Sequence, residues 1–412
     1  MRNDERSLEQ DAARPCGPLE GLKILDIATV IAGPLSATLL ADMGADVLKV
    51  EMPEKGDHIR YLPPHKEGIP LWSKVVNRNK KGVTLDLRQS EGVALFERLV
   101  ASQDVLIENF RPGTLERWGL SSERLFALNP HLIVLRVTGF GQTGPYSGRP
   151  GFARIFEGLS GFVNLCGSPD GPPMYPGYPV SDSLTGVFGA MAVAAALRHR
   201  DSLPGRPGQE IDLSATEAMF RVLDFMAIEY DQLGVARQRS GNLNSYSAPS
   251  DVYPTRDGKW ISLAVSAPTV FVRFAHALGH ADWMEDERFN TNVARIANRS
   301  EIEEQVREWF SSRTAAEAAS TLTAHDVSFS PIYDIKDIFE DPHFAAREAI
   351  VSVSDRDFGA VRMQNVVPRF SRTPGHVWRT GPALGEHNNE IYEGLLGLAS
   401  EEIERLKNRG VI

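Results

Sequence analysis

The chain has 412 residues, 42% hydrophobic and 24% charged, with a formal net charge of −10. That length supports a large core and one to three domains, while the acidic balance excludes a general nucleic-acid binder, which needs a basic footprint. Two cysteines, Cys16 and Cys166, offer neither a disulfide framework nor a metal-ligand spacing, so a reducing, cytoplasmic compartment and no bound metal are expected.

In chain order, residues 1–18 are mostly polar, carry charges of both signs and lack the apolar core of a signal peptide; they read as a disordered tail. Residues 22–51 give the first clear unit: KILDIA as a buried strand, TVIAGP as a turn, SATLLADMG as a helix ending in Gly44, and ADVLKVE as a second strand. A helix between two strands implies that they run parallel. A short strand over residues 84–87 is followed by a helix from Ser90 with Val93, Phe96, Leu99 and Val100 on one face, then by strands at DVLIEN (104–109) and HLIVLRVT (131–138). This alternation predicts an α/β fold, an open parallel sheet with helices on both faces.

Residues 171–200 set Asp182 between a Pro/Gly-rich loop and a long apolar helical run. The longest apolar stretch, 186–197, falls short of a bilayer span, and no membrane contact is expected. After a break at DSLPGRPGQ, residues 211–233 read as largely helical. DVYPTRDGKWISLAV carries a hairpin signal at Asp257-Gly258. Two helices with capping boxes follow, Ser300 with Glu303 and Thr314 with Glu317. Together these predict a smaller α+β domain over residues 251–333, and the chain closes with a helix at 400–408.

The motif GFGQTG at residues 139–144 matches the dinucleotide fingerprint and follows a strand, but Pro145 comes next, so the last glycine opens a loop instead of the helix that would hold a pyrophosphate. Glu51 at the end of the second strand imitates a ribose ligand and is weak evidence alone. A basic cluster (Arg78, Lys80, Lys81, Arg88) and then Arg111 and Arg117 lie near the strand that ends at Asn109. Ligands of open α/β sheets bind beyond the carboxyl ends of the strands. Phe110 can stack there on a heterocycle, Asn109 can hydrogen-bond, and Arg88 and Arg117 can neutralise phosphates; as ordinary surface charges the arginines would do none of this. Asp182 has two readings as well: an N-cap that ties down free amides, or an ionised nucleophile able to attack an activated acyl group.

GLKILDIATVIAGP, LLADMGADVLKVE, NRNKKGVTLDLR, DVLIENFRPGTLERWGL, NPHLIVLRVTGFGQTGPY, the Asp182 segment, GRPGQEIDLSATEA, DPHFAARE and PRFSRTPG, in this order, resemble the class III CoA-transferases, the group that includes formyl-CoA and carnitine CoA-transferases. The resemblance runs from about residue 21 to the C-terminus. It implies a Rossmann-like large, CoA-binding domain (19–200) and a small α+β domain (251–333), joined by a linker with a long helix (201–250), and a C-terminal segment (334–412) that returns to the large domain. It also implies a homodimer of two interlocked rings. It places the catalytic aspartate on Asp182 and the CoA contacts on Val30, Leu85, Arg88, Asn109, Phe110 and Arg117. The implied substrates are coenzyme A as its acyl thioester and a small carboxylic acid, with no metal, NAD or flavin. Ala153 after Phe152, Ile31 in the first turn, and SGNLNSYSAPS in place of a glycine-rich lid depart from the formyl-CoA pattern and point away from formate and oxalate. The alternatives are a dinucleotide-dependent oxidoreductase and a non-catalytic CoA-binding protein.

Overall fold

The computed structural model describes residues 17–412; Cys16 and the expected tail, apart from Gly17 and Pro18, lie outside the described residues. Two compact units emerge, one formed by the chain up to Phe162 with Pro176–Ile228 and Ala345–Ile412, the other by Val163–Tyr175 and Glu229–Phe344.

The first unit is built on six strands, β1 (Lys23–Asp26), β2 (Asp46–Glu51), β3 (Lys80–Thr84), β4 (Val105–Glu108), β5 (Ile133–Thr138) and β6 (Gln209–Ser214). All neighbours are parallel, in the order β3-β2-β1-β4-β5-β6. This is the doubly wound order in which the chain reverses direction of growth between β1 and β4, leaving a crevice at their carboxyl ends. β4 and β5 are buried along their whole length, which explains why Val, Ile and Leu dominate them. The helices that matter for the site are α1 (Ala32–Asp42), α2 (Ser90–Val100), α3 (Thr114–Arg117), α4 (Ala153–Leu159), α5 (Val180–Ser202) and α6 (Ala215–Arg221).

Glycines let α5 lie close against α1. A Cβ on Gly189 would sit 2.2 Å from the Ser36 Oγ, and one on Gly186 would sit 2.9 Å from the Leu35 side chain; neither position has room for a larger residue. α5 has 23 residues and is long and apolar enough to cross a membrane by length and composition. This corrects the expectation drawn from residues 186–197 alone. Here it packs against α1, α4, α6, β5 and β6.

The second unit is smaller. Strands β7 (Val252–Pro254), β8 (Trp260–Leu263) and β9 (Phe329–Pro331) form an antiparallel sheet in the order β9-β8-β7. Helices α7 (Pro268–Leu278), α8 (Arg299–Ser311) and α9 (Ala315–Ala324) share with it a core that includes Tyr253, Phe274, Trp283 and Phe310. The Asp257-Gly258 hairpin and the Thr314–Glu317 capping box form as expected.

Back in the first unit, strands β10 (Ile350–Asp355) and β11 (Gly359–Gln364) make a hairpin, and the chain ends in α10 (Ser400–Asn408). The closing segment covers the open edge of β3. The Gly82 N–H donates to His387 Nδ1 at 3.1 Å, the Thr84 N–H to Asn388 Oδ1 at 2.9 Å, and the Tyr392 hydroxyl to the Thr84 carbonyl at 2.6 Å. An edge that would otherwise template aggregation is thereby satisfied.

Three local expectations change. The strand expected at residues 84–87 lies at Lys80–Thr84. The segment expected to be helical from Ile211, with a long linker helix, begins as β6 and continues as short helices, because Ile211 and Leu213 extend the parallel sheet beside β5. Ser300 is inside α8, whose N-cap Asn298 makes no side-chain capping bond.

Candidate active site

The turn after β1, residues 29–34, is fixed from several sides. Val30 occupies the left-handed region with φ 66°, a conformation that is costly for a β-branched residue and needs outside support. Asp57 supplies it. Its two carboxylate oxygens accept the Val30 N–H at 2.9 and 3.1 Å, and Oδ1 also accepts the Ile59 N–H at 3.1 Å. Lys49, fully buried on β2, lies 3.2 Å from Asp57 and 3.9 Å from Asp26, its register partner on β1. Lys80 of β3 completes the set, donating to Asp26 at 2.8 Å and to the Pro34 carbonyl at 2.7 Å. Burial works against the Asp57 carboxylate, but Lys49 and the N–H donors outweigh it and hold the carboxyl below its ordinary value. Burial pulls Lys80 down to about 8. Opposite Asp57, the Asn109 amide oxygen accepts the Thr29 N–H at 2.7 Å, and its Nδ2 donates to the Thr29 carbonyl at 2.8 Å.

This turn borders a cavity of about 360 Å³ whose lining includes Thr29, Leu85, Arg88, Phe110, Thr114 and Trp118. It opens beyond the carboxyl ends of the strands, at the reversal point of the sheet. Phe110 meets Trp118 edge-on with centroids 5.1 Å apart. Its N–H donates to Glu108 at 2.7 Å, and burial pushes the Glu108 carboxyl up to about 8. Arg88 is bound to Asp86 through two bonds of 2.8 and 2.9 Å, and that pairing holds the Asp86 carboxyl at about 2. The exposed Arg117 donates to the Thr114 hydroxyl at 2.8 Å.

The sequence-assigned contact residues therefore fall together. Leu85, Arg88 and Phe110 line the cavity, and Val30, Asn109 and Arg117 each adjoin a lining residue in the chain. Asn109 is engaged with Thr29, so it shapes the cavity through the turn. Arg78 and Lys80 differ from both readings of the basic cluster: each is buried and paired, Arg78 with Asp42 at 2.6 Å and Lys80 with Asp26. Sequence reasoning missed Lys49 and Asp57; a lysine inside an apolar strand was the one available signal.

The dinucleotide features are committed elsewhere. Glu51 binds Arg60 at 2.6 Å and accepts the Asp57 N–H at 2.8 Å. The loop after β5 spends its amides internally: the Gly141 N–H donates to Thr138 Oγ1 at 2.9 Å, and the Gln142 N–H to the Asp212 carboxylate at 2.9 and 3.0 Å.

Asp182 is the third residue of α5, and the N-cap position is Pro179. It is not the capping group. The Ser181 N–H is taken by Glu157 of α4 at 3.1 Å, and the Ser181 hydroxyl donates to the Ala153 carbonyl at 3.2 Å. The Asp182 carboxyl is partly buried and makes no hydrogen bond among the described residues. Burial first, and the charge of Glu157 second, push it up to about 7. The head of α5 lies at the cavity end of the sheet: Gly186, one turn on, faces Leu35 of α1, and Tyr178 sits 6.4 Å from Trp72, which packs in one cluster with Val30 and Leu35. A partly buried carboxyl with no hydrogen bond among the described residues, at the same end of the sheet as the cavity, is suited to nucleophilic or proton-transfer work.

Residues 19–388 match the family model for CoA-transferase family III. The chain is 44% identical to the succinyl-CoA–D-citramalate CoA-transferase of Chloroflexus aurantiacus, over 97% of this chain and 99% of that one. It is 36% identical to the succinate–glutarate CoA-transferase of Agrobacterium fabrum, over 94% and 97%. Among solved structures, a CaiB/BaiF family protein from Brucella suis superposes with a TM-score of 0.83 at 35% identity, covering 92% of this chain and all of the other.

Proposed function

The chain belongs to CoA-transferase family III and is an enzyme of CoA transfer, and from that premise we propose that the transfer runs through covalent intermediates on Asp182, with succinyl-CoA as donor and a four- or five-carbon dicarboxylic acid as acceptor. The observation that carries the reading is the partly buried Asp182 carboxyl, raised in pKa and without a hydrogen bond among the described residues, at the head of α5 and the same end of the sheet as the cavity. The donor preference rests on the relatives, whose names specify succinyl-CoA or succinate with citramalate or glutarate.

The steps balance without ATP. An Asp182 carboxylate oxygen attacks the thioester carbonyl, the C–S bond breaks, and CoA thiolate leaves a mixed anhydride. The thiolate attacks the aspartyl carbonyl, releasing the donor acid and leaving an aspartyl-CoA thioester. The acceptor carboxylate attacks that thioester to form a second anhydride and free thiolate. The thiolate then attacks the acceptor's acyl carbonyl, giving the new thioester and restoring Asp182. The net reaction exchanges one thioester for another of comparable energy, and water must be excluded because both intermediates hydrolyse.

Leu85, Phe110 and Trp118 offer apolar walls to the cofactor arm and Arg117 an exposed charge to its phosphates. Arg117→Ala should raise KM for acyl-CoA several-fold with kcat little changed; steady-state kinetics check this, and a kcat loss at constant KM would contradict the phosphate role. An apolar surface on α4, α5 and α6, including Ile155, Val187, Met191 and Phe220, is exposed in the single chain. We assign it to a second copy of the chain, in keeping with the interlocked homodimer that the sequence resemblance implies. The function is tested by incubating the protein with succinyl-CoA and malate, citramalate or glutarate, and separating the thioesters. New acyl-CoA with release of succinate is expected; hydrolysis alone, or no turnover with any dicarboxylate, would contradict the proposed pair.

A further inference from the structure

We propose that Glu157 is a positioning residue for the transfer reaction: it anchors the head of α5 by taking the Ser181 amide and sets a like charge against Asp182, which makes that carboxylate a stronger nucleophile. The inference rests on the reading of Asp182 as the nucleophile. Glu157 is 1% exposed, a position where a carboxylate is normally paired with a cation. Its described partner is instead the Ser181 N–H at 3.1 Å, one of the free amides at the start of a helix. With the Ser181 hydroxyl bound to the Ala153 carbonyl at 3.2 Å, two hydrogen bonds fasten the head of α5 to α4. Glu157 thereby takes the capping role that a first-turn acid such as Asp182 could have filled.

The other charged groups on the elements packed against α5 leave this pair alone. Asp42 of α1 is bound to Arg78, and Arg136 of β5 to Glu116. Glu210 of β6 lies beside Arg136, and Asp212 accepts the Gln142 amide. Glu217 and Arg221 of α6 form no ion pair with Asp182 among the described residues, and Arg200, at the far end of α5, pairs with Asp104. Two carboxylates that share a buried region disfavour simultaneous ionisation. When Asp182 attacks the thioester, its charge moves onto the thioester oxygen and then the sulfur. Repulsion present in the ground state is relieved in the transition state, and only such differential interactions raise kcat.

Glu157→Gln tests this, because the amide oxygen can still accept the Ser181 N–H while the charge is gone. The acid limb of the kcat profile should move down by about one pH unit. On the high-pH plateau kcat should fall about threefold, as expected for a nucleophile one unit less basic with a Brønsted coefficient near 0.5. Glu157→Asp, which keeps the charge, should hold the limb near its wild-type position even if it loosens the helix. KM for acyl-CoA should stay constant in both. A limb and plateau unchanged in Glu157→Gln, or a limb that moves equally in Glu157→Asp, would reduce Glu157 to a helix cap and overturn the proposal. Trapping of acyl-Asp182 in the wild type separates this failure from failure of the nucleophile: an adduct with an unmoved limb rejects the role of Glu157 alone.

Discussion

Asp182→Asn should lower CoA transfer by about a thousandfold or more while CoA still binds. The amide is nearly isosteric but is a poor nucleophile, so no anhydride forms, and the cavity residues around Phe110 are untouched. Exchange of labelled succinate into succinyl-CoA, beside a CoA binding titration, checks both halves. The same substitution should change stability in a pH-dependent way. The Asp182 carboxyl titrates at about 7 in the folded chain, against about 3.9 for a free aspartate. An acid whose value is raised by folding is favourable only while protonated, so the wild type loses stability as pH rises from 4 to 7 and stays penalised above that. Asp182→Asn removes the penalty. Its melting temperature should exceed that of the wild type at pH 8 and match it near pH 4. Function at the expense of stability is the expected signature of a reactive group; a variant less stable than wild type at pH 8 would mean that the ionised Asp182 supports the fold and contradict this reading.

The second large effect is expected at Asp57. Asp57→Ala removes the acceptor for the Val30 and Ile59 amides and one of the two carboxylates facing Lys49. Breaking a buried pair in this way costs about 3–5 kcal/mol, because the remaining charge has no water to turn to. Lys49 keeps Asp26 at 3.9 Å, which moderates the loss. Val30 at φ 66° loses its only described amide acceptor, so the turn relaxes and the cavity edge moves. Chemical denaturation should give a clearly lower midpoint, and KM for acyl-CoA should rise more than kcat falls. An unchanged midpoint would show that the ion set does not support the turn.

What the sequence revealed follows from what each element has to satisfy. β1, β2, β4 and β5 were legible because each carries a run of branched apolar residues, as strands buried on both faces require, even though charged residues such as Lys49 and Arg136 interrupt or end the runs. β6 was not: its residues Gln209–Leu213 are mostly exposed, it carries two acids, and good helix formers follow it, so neighbouring β5 decides its state. β3 begins with Lys80 and Lys81, which reads as surface until Asp26 of β1 provides a buried partner for Lys80. Lys49 and Asp26 are adjacent in register but far apart in the chain, and no local pattern reveals such a pair. At the site, the chemistry-bearing residue types were readable: an acid opening a small-residue helix, an aromatic at a strand end, an arginine one turn on. The supporting set, Asp57, Lys49 and Glu157, was not, because it is defined by contacts between separate elements of the fold. Burial first and Glu157 second push the Asp182 carboxyl up to about 7, which the sequence reading of an ionised nucleophile did not foresee.

The central claim is that the Asp182 side chain becomes covalently acylated. The most direct measurement is to mix the enzyme with succinyl-CoA, quench with hydroxylamine or borohydride, and locate the modification by peptide mass spectrometry. The account predicts a hydroxamate or a reduced side chain at Asp182, dependent on thioester and absent from Asp182→Asn. Turnover with an unmodified Asp182, or trapping at another carboxylate, would contradict it.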